Sequence, residues 1–481
     1  MRRGSAIEGV LLAVVLSVQA WLFVRPIHNE TNYDEAVYLA SLDALRHGQA
    51  LGTEVFAPQL PGFYDLLRTI AVFTGTSLVG VRAGLLAVFL LGTVGAWLVG
   101  RRFGGPSGAV LAASFLVVAP PLDRFGYQVI ADTPALAVTA LALGLATLSG
   151  PVAAVAAGAV FAAAVSVKLT ALTAFVALAW LLRRRPWHAL AGAAVVSGVL
   201  LALHAGALPE LWDAAIRYHQ EARGTPEVLP HAHREIFAQI SPRTPFFWIA
   251  IAGIVVAAAP LARGRPPRAW PLWTWVGLSL VFLLTHEPLH DNHLIVFPFT
   301  LAIAVGATIG GVFPRRPAVY AAAAAVLAVA YVQQVRSVDH ARRPEPESRL
   351  AASRALERLV PPDALVIDDR ASMAFFAHRR VVGELVDTAF LRFETGSLTD
   401  ADVIRELPRA GAVVVSRSLG TRPRIMRAIR ARFSLRYDRE DIRIYLSRSR
   451  TRTPTSRSAS TGDRAVATST TPDERLTPSN P

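Results

Sequence analysis

The chain has 481 residues, of which 53% are apolar and 17% charged, with a mean hydropathy of +0.39 and no cysteine. Charged residues make up about a quarter of an ordinary soluble chain, so this deficit, with repeated apolar runs of about 20 residues, excludes a simple soluble enzyme and describes a polytopic membrane protein. The absence of cysteine excludes disulfides, thiolate-ligated zinc, iron–sulfur clusters and a cysteine nucleophile, and the net charge of +14 is read first as loop charge, because cytoplasmic loops collect Lys and Arg.

The run 7–24 follows Arg2-Arg3 and lacks the small-residue boundary of a cleaved leader, so it is expected to be a retained span with its amino end in the cytoplasm. Runs at 81–99, 107–120, 134–148, 151–167, 169–182, 187–208, 246–261, 270–285, 294–312 and 318–335 bring the expectation to about 11 transmembrane helices. Threaded alternately, they put Arg101-Arg102, Arg183-Arg184-Arg185, the group Arg263, Arg265 and Arg268, and Arg315-Arg316 on the inner side, as the positive-inside rule asks. The outer side then holds long loops at 25–80 and 209–244, short ones at 121–133 and 286–293, and everything after about 336. In the first loop, Ala36, Val37, Leu39, Ala40, Leu42 and Leu45 keep helical spacing beside Asp34, Asp43 and Arg46, which predicts a helix lying in the interface. A second helix at 63–73 is too short and too charged to span; were it to span, the later arginine clusters would fall outside.

Beyond the last span, a helix at 349–360, a strand at 364–367, a helix at 371–377, a strand at 412–415, a basic helix at 423–433 and a strand at 442–446 predict a small α/β domain. From Ser447 on, Ser, Thr, Pro and Arg predominate, the composition of a disordered tail. The expected division is therefore a transmembrane domain at 1–335, an extracytoplasmic α/β domain at 345–447 and a tail at 448–481.

The outer loops carry the candidate chemistry. Asp34 and Glu35 open the interfacial helix; either serves as a base for an acceptor hydroxyl, or Asn32 and Glu35 form a capping box with acids suited to the helix dipole. Asp132 reads as an acid at the same membrane depth or as a cap before Pro134. Lys168 is the only lysine among 49 basic residues. A cation beside hydrocarbon is costly without a partner, so Lys168 is either a phosphate-binding ammonium or a snorkelling helix end. His286-Glu287-Pro288-Leu289-His290 contains the letters of a zinc-protease motif, but Pro288 breaks the helix that motif needs. Hydrogen bonding of His286, His290 and His293 to phosphate or sugar is the simpler role. The second long loop offers Arg217, Tyr218, His219, Arg223, His231, His233, Arg234 and Arg243, a grip for an anionic headgroup or a solvated surface.

The sequence Asn32-Tyr33-Asp34-Glu35-Ala36-Val37-Tyr38, followed by Ala57-Pro58-Gln59-Leu60-Pro61-Gly62-Phe63-Tyr64, resembles the first outer loop of the GT-C membrane glycosyltransferases. The similar branch is that of the protein mannosyltransferase-like and aminoarabinose-transferase-like enzymes. Arg82-Ala83-Gly84, Arg101-Arg102-Phe103-Gly104, the Asp132 loop, Val165-Ser166-Val167-Lys168 and Asn292-His293 through Pro298 continue the resemblance over 7–335. Gln59 stands where many relatives carry a basic residue, and Asn292-His293 replaces their Arg-Tyr.

The resemblance implies an inverting transfer of a hexosyl or pentosyl group from a polyprenyl-phosphate donor to a glycan, lipid or protein acceptor at the outer face of the cytoplasmic membrane. It assigns Asp34, Glu35 and Asp132 to catalysis, Lys168, Arg217 and His293 to the donor phosphate, and Tyr33, Tyr38, Gln59, Tyr64, His286 and His290 to substrate contacts. No cofactor is required; a divalent metal is compatible but not expected, and no nucleic acid is involved. A flippase of lipid-linked sugars is the alternative, with a zinc protease behind it. Transporters favour sites near the membrane midplane, whereas the polar groups here crowd the outer interface.

Overall fold

The computed structural model describes residues 2–223, 225, 234–238, 240–242, 244–261, 268–313, 328, 331–332, 335–336 and 343–448. Most of the expected run 318–335, together with Arg243, Arg263, Arg265, Arg315, Arg316, His231, His233 and the tail beyond 448, lies outside them.

The apolar periodicities resolve into α1 (Arg2–Val24), α2 (Tyr33–Arg46), α3 (Pro61–Thr74), α4 (Leu78–Val117), the short α5 (Leu122–Phe125), α6 (Asp132–Ala146), α7 (Pro151–Val167), α8 (Phe175–Leu181) and α9 (Pro186–Leu203). After the short helices α10 (Leu208–Trp212), α11 (Tyr218–Glu221) and α12 (Arg234–Ala238) come α13 (Pro245–Leu261), α14 (Trp270–Thr285) and α15 (Val296–Val312). Among the described residues, four helices are long and apolar enough to cross a membrane: Ala6–Val24, Leu78–Val117, Pro186–Leu203 and Asp291–Val312. Five shorter apolar helices accompany them. The expected continuous span at 169–182 begins instead as a 3-10 turn, Leu169–Ala174, before α8.

α4 is not straight. Gly105 takes φ 63°, ψ −159° just before Pro106, and a Cβ placed on Gly100 would lie 2.2 Å from the Gly108 carbonyl oxygen. Residues eight apart touch only if the chain doubles back, so the run forms the two limbs expected at 81–99 and 107–120, with Arg101-Arg102 at the turn. Helices in lipid associate by close van der Waals packing of small residues rather than by hydrophobic burial. Gly306 and Gly310 of α15 show this: a Cβ on Gly306 would sit 2.4 Å from the Ala112 nitrogen, and one on Gly310 2.2 Å from the Gly108 nitrogen.

The C-terminal part begins with α16 (Glu347–Leu359) and carries a sheet of β1 (Leu365–Asp368), β2 (Ala410–Val415), β3 (Phe433–Arg439) and β4 (Ile442–Ser447), in the order β1-β2-β4-β3. β1 and β2 are parallel; the other pairs are antiparallel. β2 (AGAVVV) is buried throughout, as a strand covered on both faces should be. β3 is an edge strand with mostly uncovered polar side chains, so it has no hydrophobic pattern in the sequence.

One core joins this sheet to the helices: Val37, Leu39, Phe63 and Leu85 share it with Leu356, Val366, Met373 and Ile444. α2 was expected to float in the interface with one face exposed, but it is buried along most of its length because the α/β unit covers its second face.

The glycine contacts give a direct test. Gly310→Val drives a branched side chain into the Gly108 backbone and should abolish a monodisperse peak in detergent size-exclusion chromatography. Gly277→Ala, where a Cβ would meet nothing within 4 Å, should behave as wild type.

Candidate active site

The first turn of α2 organises the site. Asn32 caps the helix by accepting from the Glu35 backbone N–H at 2.8 Å, and Glu35 Oε2 accepts from the Asn32 N–H at 3.3 Å. The capping box is therefore complete without Asp34. The Asp34 carboxylate opens into a cavity of about 610 Å³ whose wall includes Tyr33, Tyr38, Gln59, Lys168, His219, Arg223, His286, His290, Asn292, His293, Asp387, Phe390 and Arg417. Among the described residues, Asp34 makes no hydrogen bond. Desolvation in the cavity, followed by the charge of Asp387, pushes its pKa up to about 6 against the opposing pull of Lys168 and Arg417.

Glu35, expected beside Asp34 in catalysis, does not reach the cavity. Its side chain is fully buried and paired in a fork with Arg82, which donates from Nε at 2.9 Å and Nη2 at 2.6 Å. Glu35 Oε1 also accepts from the Val129 N–H at 2.7 Å, and Arg82 donates to the carbonyls of Ile27, Asn29 and Glu30. Both charges are thus saturated, and Glu35 holds the helix start in place.

Lys168 stands at the break between α7 and the 3-10 turn, in extended backbone (φ −159°, ψ 138°), which frees its side chain from the helix surface. Its Nζ lies 2.6 Å from Asp132 Oδ2, which also accepts from Asn292 Nδ2 at 3.0 Å. Asp132 is fully buried and does not line the cavity; it anchors the ammonium that does. Two expected residues, Asp132 and Lys168, therefore meet at one carboxylate oxygen, which Asn292 also contacts.

Arg217 corrects the expectation for the donor phosphate. It points to solvent, with Nε 2.8 Å from Glu221 and Nη1 3.9 Å from Asp213, and lies off the cavity wall. The single π-helical turn Asp213–Arg217 sets the register of this segment, so that Tyr218, His219 and Arg223 reach the cavity instead. Tyr64 is also off the wall: it is buried beneath Tyr38, ring centroids 6.3 Å apart. Tyr38 and Gln59 face the cavity as expected, and Gln59 Nε2 donates to the Tyr38 hydroxyl at 2.9 Å.

The segment 286–293 is not the helix that a zinc-protease motif requires. His286 and His290 both have extended backbone, so they do not share a helical face. His286 stacks on Phe282 and meets the His293 ring edge-on at 4.6 Å. Burial, then the nearby positive charge of Lys168, lowers the His286 pKa to about 3, so the ring acts as a neutral hydrogen-bonding group.

Asp387 and Arg417 come from the α/β unit and carry no motif. Tyr33 donates its hydroxyl proton to Asp387 Oδ1 at 2.8 Å, while the Arg417 guanidinium lies over the Tyr33 ring at 4.3 Å. Arg417 Nη1 is buried and has no acceptor among the described residues. The turn after β2 is held by Asp369, which accepts from the Ser416, Arg417 and Leu419 N–H groups and from Ser418 Oγ. Only Arg417 had a signal, visible in retrospect: a charged residue two positions past the end of the buried β2, where α/β sheets place ligand contacts.

Arg82→Met leaves Glu35 buried without its countercharge, and unfolding in detergent should show a loss of about 3–5 kcal/mol. The double variant with Glu35→Met should recover a good part of it; equal loss in both would mean that the pair is not what holds the loop.

No protein-family model matches the chain, and no curated protein matches its sequence. Solved structures do match. ArnT from Cupriavidus metallidurans bound to undecaprenyl phosphate aligns over 92% of this chain and 98% of its own, at 14% identity and a TM-score of 0.65. The archaeal oligosaccharyltransferase AglB from Archaeoglobus fulgidus, in complex with an inhibitory peptide and a dolichol-phosphate, aligns over 94% of this chain and 75% of its own, at 12% identity and a TM-score of 0.54. These likenesses show that the chain has the GT-C fold.

Proposed function

We propose that the chain is an inverting glycosyltransferase that moves a sugar from a polyprenyl-phosphate donor to an acceptor hydroxyl. The observation that carries this reading is the placement of a free carboxylate and an anchored ammonium on one cavity wall: Asp34 without a hydrogen-bond partner among the described residues, and Lys168 gripped by Asp132. The fold shared with an ArnT bound to undecaprenyl phosphate and an AglB bound to a dolichol-phosphate supports a lipid-phosphate donor.

In the proposed step, the acceptor oxygen attacks the anomeric carbon as the bond from that carbon to the phosphate oxygen breaks. The acceptor proton passes to Asp34, and the departing phosphate keeps the electron pair and meets Lys168, Arg417, Arg223 and His293. A prenyl phosphate is already a serviceable leaving anion, so positioning, a base and fixed cations suffice. Tyr33, Tyr38, Gln59, His286 and His290 orient the substrates. The membrane arrangement that suits this chemistry is the one read from charge: about 11 spans in 1–335, the amino end cytoplasmic, and the cavity at the outer face beneath the α/β unit at 345–447.

The test is transfer of labelled sugar from a panel of polyprenyl-phosphate sugars in liposomes. Asp34→Asn should lower turnover by about 10²–10⁴-fold, and Lys168→Ala by about 10²–10³-fold, with both variants folded. Lipid movement between leaflets without donor turnover would favour a flippase and sink the proposal.

The pH profile tests the base separately. Asp34 works as the carboxylate, so activity should rise with pH through about 6 and fall away below it as the group takes a proton. Asp387→Asn removes a charge that raises the Asp34 pKa and should move this limb to lower pH; Arg417→Gln removes one that lowers it and should move the limb up. Variants that leave the limb in place would assign it to another group.

A further inference from the structure

A second cavity, of about 590 Å³, lies on the other side of Tyr33 and touches none of the groups assigned to the reaction apart from that ring. Its wall joins the end of α1, the 121–128 loop, Asp291 and the α/β unit, and it holds four arginines: Arg124, Arg343, Arg349 and Arg370. Two are neutralised. Arg124 pairs with Asp291 at 3.0 Å, and Arg349 with Glu345 at 3.1 Å and Glu30 at 3.8 Å. Glu345 is in turn fixed by the Thr31 backbone N–H and hydroxyl, at 2.8 and 2.9 Å. Arg370 and Arg343 make no ion pair and no side-chain hydrogen bond among the described residues.

Arg370 is half-buried and cannot simply trail into solvent like a surface arginine. Partial burial, then repulsion from Arg349 and Arg417, makes its charged form less favourable than usual. A guanidinium held in that position offers a planar fork of donors with nothing to bind, and its natural complement is a phosphate. The backbone presents it firmly: the Arg370 N–H donates to Asp368 Oδ1 at 3.1 Å, at the carboxyl end of β1. Arg417 follows β2, the parallel neighbour of β1, so adjacent strand ends deliver one arginine to each cavity, with Tyr33 between.

We infer that this second cavity binds a phosphate group of the acceptor, with Arg370 as its principal ligand and Arg343 and Arg349 beside it. The word acceptor rests on the glycosyl-transfer reading; the anion site rests on the arginines alone.

The experiment is equilibrium binding of radiolabelled inorganic phosphate to the full chain in phosphatidylcholine nanodiscs, with polyprenyl phosphate present to fill the first cavity. Saturable binding of one phosphate per chain is expected, weakened at least tenfold in Arg370→Gln, largely restored in Arg370→Lys, and unchanged in Lys168→Ala. Displacement by dihexanoyl phosphatidic acid would support the site and give its source as a lipid headgroup. Displacement only by a soluble sugar phosphate would support it with a soluble acceptor. Absence of binding, binding indifferent to Arg370→Gln in a folded protein, or binding lost in Lys168→Ala would overturn the inference. No turnover is read, so failure here is distinct from failure of the donor-transfer assay.

Discussion

The fork between Glu35 and Arg82 is the constraint on which the rest of the site depends. It buries two charges completely, which is tolerable only because every lone pair and N–H that faces inward has a partner. Those partners come from four places: the loop between α1 and α2, the start of α2, the first limb of α4 and the loop before α6. Locking them together fixes the direction of the first turn of α2. Asp34, the residue just before Glu35, then has no structural duty left and faces the cavity.

A second fixed point lies in the α/β unit. Asp369 gathers the turn after β2 with four donors and also meets the Thr388 hydroxyl, so one buried carboxylate holds both the Arg417 turn and the segment that carries Asp387. The unit is consequently not an appendage. It shares a core with α2 and α3 and completes the roof of the cavity with an acid that bears on Asp34 and a cation on Tyr33. Asp387 and Arg417 thus bear on Asp34 with opposite charge and pull its affinity for protons in opposite directions.

Much of this was legible in the amino-acid order because the signals were local. The capping spacing of Asn32 and Glu35, the solitary Lys168 between two apolar runs, and Pro288 inside a would-be helical motif each follow from the chemistry of a few neighbours. What was not legible depended on register and on distant partners. Arg217 and Arg223 are equally basic, and only the folded path of the segment decides that Arg223 lines the cavity while Arg217 pairs with Glu221 off its wall. Glu35 and Asp34 are adjacent carboxylates, and only Arg82, 47 positions away, separates their roles. β3 lacks a hydrophobic pattern because its side chains are largely uncovered, and Asp387 and Arg417 are ordinary loop residues until the sheet brings them over α2.

The central claim is a single displacement with Asp34 taking the acceptor proton. Its most direct test is the anomeric configuration of the transferred sugar, read by NMR coupling constants in the product of donor turnover. The account predicts inversion relative to the polyprenyl-phosphate donor. Retention would require a covalent or two-step route, with a carboxylate attacking the anomeric carbon instead of taking the acceptor proton, and would contradict the assignment.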